Sequence, residues 1–119
     1  MHGYKRSARV GDLIRREVAD ILQYRLKDPR VGFLTVTDVS ISDDLKNATV
    51  FLSIMDRDSA QKTLSILNAS AGFVKSELGK RLRLRYMPKI TFMIDEAVEK
   101  GERIDSLLRK LKEEEHGGS

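Results

Sequence analysis

Apolar positions near the start of the chain recur at spacings of three and four. Val10, Leu13, Ile14, Val18, Ile21 and Leu22 form one stripe, which predicts an amphipathic helix from Ser7 to Lys27. Pro29, in "KDPR", disfavours helical geometry at Asp28 and ends it. The pattern then changes period. "FLTVTDVSIS" is β-branched, with Leu34 and Val36 in one phase and Val39 and Ile41 in the other, so a β-bulge is expected near Thr37 and Asp38. "SDDLKN" has the composition of a turn. "ATVFLSIM" alternates cleanly, placing Ala48, Val50, Leu52 and Ile54 on one face. The two strands are expected to pair as an antiparallel hairpin.

A second helical stripe follows: Leu64, Leu67, Ala71, Val74, Leu78 and Leu82. "DSAQ" before it has the spacing of a capping box, with Asp58 as cap and Gln61 reaching back. The stripe passes straight through Gly72, so both halves serve one core and the glycine is expected to kink or break the helix. "MPKITFMID" predicts a third strand, with Ile90, Phe92 and Ile94 in phase and Pro88 limiting pairing at its start. Ile104, Leu107, Leu108 and Leu111 mark a terminal amphipathic helix, with a polar, frayed tail from Glu113. The order is α-β-β-α-kink-α-β plus a C-terminal helix. This predicts an α+β fold with a three-stranded sheet and helices on one face. Residues 1–97 are expected to form the domain, and 98–119 the terminal helix and tail.

The 119 residues suit one core. No apolar run approaches the roughly 20 residues of a membrane span, and the N-terminus lacks the apolar stretch of a secretion signal. Cysteine is absent, which excludes disulfides and thiolate metal sites and fits a cytoplasmic protein.

The net charge of +4 is unevenly spread. Residues 1–30 hold eight cations and four acids, whereas 38–58 hold two cations and five acids. Between 75 and 89, Lys75, Lys80, Arg81, Arg83, Arg85 and Lys89 face the single acid Glu77. The N-terminal set includes Lys5, Arg6, Arg9, Arg15, Arg16, Lys27 and Arg30. If the two basic segments converge, they make an electrostatic footprint for a polyanion; if they do not, each is a solvated helix face.

Catalytic chemistry finds little material. The histidines are His2 and His116, near the two ends, and the paired acids Asp43 and Asp44 sit in a turn. No glycine-rich phosphate loop is present. We expect no enzyme activity, no metal and no cofactor. Ser70-Ala71-Gly72 carries more information. Its small side chains permit close approach, and a helix restarting there would offer N–H groups to a phosphate. A kink needed only for packing is the alternative. In "LRLRY", an extended chain would aim Arg83 and Arg85 one way, and arginine donates to phosphate in pairs. Tyr86 is suited either to stacking on a base or to half-buried packing.

The whole order resembles a type II KH domain, although the usual GxxG loop of that fold is missing. "NASAGF" supplies one glycine in its place. This departure, together with "RVGDLIRREVADIL", "LKDPRVGFLTVTDVSIS", "LKNATVFLSIM" and "GFVKSELGKRLRLRYMPKITFMID", resembles the bacterial ribosome-binding factor A family over residues 4 to 112. That family bends its helix at Ala-x-Gly; here the motif is Ser-x-Gly, with Ser70 in the alanine position. The resemblance implies a non-catalytic assembly factor. It would bind 16S rRNA in free, immature 30S subunits as a monomer and assist late rRNA processing, including the 5′ end. It would matter most in the cold, and its release factor, a GTPase or other, is left unidentified. A generic KH-type RNA chaperone or mRNA binder and a protein–protein module are the rivals. The implied RNA-binding residues are Ser70, Ala71, Gly72 and the two basic sets. Reversing Arg81, Arg83 and Arg85 to glutamate is expected to remove binding with little effect on thermal unfolding.

Overall fold

Ile14, Val18, Ile21 and Leu22 bury one face of the first helix, α1 (His2–Tyr24). The computed structural model describes residues 2–117, with side chains described at all of these except 2–5, 98, 99, 102–104, 106 and 113–117. The side chains of His2, Lys5, Ile104 and His116 therefore lie outside the described residues. α1 is longer at its start than the stripe predicts and ends earlier, at Tyr24. The amides of Arg25 and Leu26 both turn back to the Ile21 carbonyl, closing the helix before Pro29 acts. Leu13 is 45% exposed and stands outside the core, because it lies on the flank of the stripe.

β1 (Leu34–Ile41) and β2 (Asn47–Ile54) pair antiparallel, and the register shifts between Val36 and Asp38. The expected bulge is therefore present. It lets Val36 and Val39, of opposite sequence phase, both pack against the core. The turn between the strands is built by Asp44, which accepts from the Ser42 hydroxyl and the Lys46 amide. Leu45 takes a left-handed φ of 61° there. β3 (Lys89–Ile94) runs parallel to β2, giving the sheet order β1-β2-β3.

The crossover between β2 and β3 holds two helices, α2 (Ala60–Ala69) and α3 (Ala71–Arg81). The capping box does not form. Asp56 instead accepts from the Asp58 amide to start a single 3-10 turn at Arg57–Ser59, and Ser59 precedes α2 without a side-chain cap. Leu67, Val74 and Leu78 are fully buried, as are Val50, Leu52 and Phe92 opposite them. α1, α2 and α3 thus cover one face of the sheet, and the other face presents Thr35, Ser40, Thr91 and Met93. α4 (Glu96–Gly117) follows β3 directly, and Leu107, Leu108 and Leu111 are exposed on it.

Two close approaches fix the helices on the sheet. Gly11 is buried in α1, and a methyl there would stand 3.2 Å from the Val39 carbonyl of β1, so the glycine permits that contact. At the other side of the sheet, Asn68 acts as a short piece of strand. Its amide nitrogen donates to the Phe92 carbonyl at 3.1 Å, and its oxygen accepts from the Phe92 amide at 2.9 Å. The outer edge of β3 is thereby capped, and the end of α2 is pinned to it.

Candidate nucleic-acid interface

The helix changes direction at Ser70, two residues before the glycine that the sequence singles out. Ser70 lies between the helices at φ −91° and ψ 2°, and its amide is shared between the Ile66 and Leu67 carbonyls. That tightened last turn, next to the tether of Asn68 on β3, makes the bend. The first bond of the new helix runs from the Val74 amide to the Ser70 carbonyl. Gly72 sits inside α3 without a positive φ, and a Cβ on it would meet nothing within 4 Å. Gly72→Ala is therefore expected to stabilise the protein by about 0.5–1 kcal/mol, through helix propensity alone. A thermal melt checks this, and a lower midpoint would show that the glycine carries a strain absent from its backbone geometry.

One turn beyond the bend, Lys75 reaches the wall of a groove of about 790 Å³. The groove joins four parts of the chain. α1 contributes Arg6 and Val10, and the β1–β2 turn contributes Asp43, Asp44, Leu45 and Lys46. α3 contributes Lys75, and the segment entering β3 contributes Leu84 through Lys89. The two basic segments do converge, through Arg6 on one side and Lys75, Arg85 and Lys89 on the other. Lys46 joins them, although it stands in an acidic stretch of sequence. Asp44 is held ionised below the ordinary carboxylate range, by the Ser42 hydroxyl first and the Lys46 amide second. Five cations thus surround a space that two acids share, and the field there favours an anion.

The segment "LRLRY" alternates as its sequence suggests. Leu82 leaves α3 in extended geometry, Leu82 and Leu84 are half-buried, and Arg83 and Arg85 are exposed. Arg85 lies on the groove wall, its guanidinium carbon 5.6 Å from the centre of the Tyr86 ring. Tyr86 is 75% exposed, so the half-buried packing role does not apply to it.

Other expected residues stand elsewhere. Arg81 is turned away from the groove into α1, where it donates to Glu17 at 3.1 Å and Asp20 at 2.5 Å. These carboxylates, Asp20 first, raise its pKa further. Lys80 lies 3.4 Å from Glu77, a buried carboxylate that Arg25, just past the end of α1, approaches at 3.7 Å. Arg30 is held by Asp28 through its backbone amide, Nε and guanidinium nitrogen. Those bonds hold the Asp28 carboxyl down at about 2. Lys27 and Arg30 follow the far end of α1, roughly 27 Å along its axis from Arg6 at 1.5 Å per residue. Arg9 and Arg16 share the Arg6 flank of α1, at about 100° per residue, whereas Arg15 lies about half a turn from Arg6. Arg83 is exposed but is not part of the groove wall. Among the described residues, no group of three or more acids or histidines is placed to hold a metal, and no helix is long and apolar enough to cross a membrane.

Comparison with known proteins gives one consistent family. The chain is 49% identical to the ribosome-binding factor A of Thermodesulfovibrio yellowstonii over 112 residues, which span 94% of this chain and 95% of that one. Its fold superposes on the crystal structure of ribosome-binding factor A from Thermus thermophilus with a TM-score of 0.67. That match has 26% identity and covers 74% of this chain and 94% of the other. A homology model of the Thermus thermophilus factor, fitted into the cryo-EM map of a 30S–RbfA complex, matches with a TM-score of 0.59 and 28% identity. It covers 71% of this chain and 89% of that one. The profile of the family matches residues 6–108, which run from Arg6 in α1 through β3 and include the whole wall of the groove, and the chain belongs to the ribosome-binding factor A family.

Proposed function

We propose that this protein binds 16S rRNA in free 30S subunits, as a monomer in the cytoplasm, and assists late maturation of that RNA. The observation that carries the reading is the convergence of Arg6, Lys46, Lys75, Arg85 and Lys89 on one groove. These residues come from segments 83 positions apart in sequence at their extremes, Arg6 to Lys89, and the fold assembles them next to the bend at Ser70. A family relative fitted in a 30S complex supports the choice of target.

Such a role needs no catalytic group. A protein that prefers one rRNA conformer shifts the population by the difference in its affinities for the two. A difference of 1.4 kcal/mol changes the ratio tenfold. Processing of the 5′ end is then done by nucleases acting on the favoured conformer. Cold strengthens wrongly paired RNA helices, so the same difference in affinity matters most at low temperature.

The test is sedimentation of the tagged protein on a sucrose gradient of cell lysate. It is expected with free 30S particles and absent from 70S ribosomes, with more unprocessed 16S precursor in cells that lack it. Migration with polysomes or with free mRNA would instead make it a general RNA chaperone. Sedimentation at the top of the gradient, unchanged at low salt, would make it a protein–protein module.

A further inference from the structure

Resting on the RNA-binding role proposed above, we infer that the groove takes an unpaired nucleotide, with its base stacked on Tyr86 and its phosphates on Arg6, Lys75 and Lys89. A duplex is too wide to enter a groove of this size, and a surface that only tracked one would need cations but no pocket between them. This one is concave, and its volume lies in the roughly 300–1,000 Å³ range of small-ligand sites. Its deeper wall is apolar. Pro88 is fully buried, and Val10, Leu84 and Met87 are half-buried, while the cations are exposed at the rim. Phosphate gains nothing from such a wall, whereas a base does.

Tyr86 gives the base its place. A large aromatic left 75% exposed beside five cations is not serving the core. Arg85 sits over the ring, and its planar guanidinium extends the stacking platform and adds charge to it. Asp43 and Asp44 close the turn side of the groove. They repel a phosphate chain lying across that side and leave the rim near Lys75 and Lys89 as its path. Aromatic rings with flanking cations are how proteins hold single strands without reading sequence.

The test uses the full-length protein and three probes: a short single-stranded RNA, the same strand with abasic positions, and the corresponding duplex. Fluorescence anisotropy is expected to rank the single strand above both others. Tyr86→Ala should weaken single-strand binding roughly five- to 150-fold, the range that loss of one stacked base gives. It should leave duplex and abasic binding and the salt dependence unchanged. Tyr86→Phe keeps the ring and should bind as wild type. Tyr86 ring protons should move upfield in NMR spectra on adding the single strand. Equal loss on all three probes, or no loss on any, would overturn the base site. A Tyr86→Ala protein that binds free 30S normally and single strands normally sinks this inference alone. A protein whose oligonucleotide binding follows the expected pattern, but which does not join 30S particles, keeps the base site and overturns the ribosomal role.

Discussion

Replacing Lys75, Arg85 and Lys89 by glutamate is expected to abolish association with free 30S particles at physiological salt while the fold survives. All three side chains are exposed on the groove wall. Surface substitutions of this kind usually change stability by no more than about 0.5 kcal/mol each. Losing the guanidinium over Tyr86 adds about 0.5–1 kcal/mol at such an exposed site. Binding should respond far more. Each cation that neutralises a phosphate contributes roughly 0.7 to 0.9 to the slope of log affinity against log salt. Neutral replacement of all three by glutamine should therefore lower that slope by about two to three units. Glutamate goes further, because three new anions join Asp43 and Asp44 around one space. Filter binding at several salt concentrations measures the slope, and a sucrose gradient measures the particle. A glutamate variant that still sediments with 30S would move the interface off the groove altogether. The same substitutions on Arg15, Lys27 and Arg30 are the comparison, because these cations lie on another flank or at the other end of α1. They should lower the slope by less than one unit.

The periodic parts of the chain announced themselves, and the interface only half did. β2 alternates without a flaw, and Ala48, Val50, Leu52 and Ile54 are all buried. The bulge in β1 was visible because two apolar residues on each side of Asp38 were out of phase, and only an extra residue could bring both pairs to one core. A stripe that ran through Gly72 rightly indicated two helices on a single core. It misplaced the bend, because glycine is only one way to turn a helix. Here the turn is made by a shared amide at Ser70 and by Asn68 reaching a strand 24 residues away. Nothing local to "NASAGF" encodes that pairing. Cation counting had the same limit. Charge density along the sequence found the segment from Lys75 to Lys89, but sequence does not say which carboxylates wait across a helix interface. Arg81 and Arg83 look equivalent in "KRLRLR", yet one ends α3 facing α1 and the other follows in extended chain. Lys46 was overlooked for the converse reason. In sequence it follows Asp43 and Asp44, and in space it shares the groove wall with Lys89 and Arg85.

Arg81 is where this difference has its largest consequence for stability. Its side chain is 25% exposed and lies between Glu17 and Asp20, so it ties the end of α3 to the middle of α1. As the last residue of α3 it also places positive charge at a helix C-terminus, where the dipole favours it. Glu17 and Asp20 are 35% and 47% exposed, so solvent screens the cluster and the value for fully buried pairs does not apply. Truncation to alanine should lower the melting midpoint, by less than the loss of a fully buried ion pair would. Arg81→Glu replaces attraction by repulsion among three carboxylates and should lower the midpoint further than truncation does. This corrects the expectation that reversing Arg81 with Arg83 and Arg85 would have little effect on thermal unfolding; Arg83→Glu alone should have little. Swapping the charges, with Arg81→Glu joined to Glu17→Lys and Asp20→Lys, should recover much of the lost midpoint, and added salt should narrow the gap between Arg81→Glu and wild type. If Arg81→Glu melts as wild type but no longer sediments with 30S particles, the guanidinium belongs to the RNA interface and its two carboxylate partners in α1 are incidental.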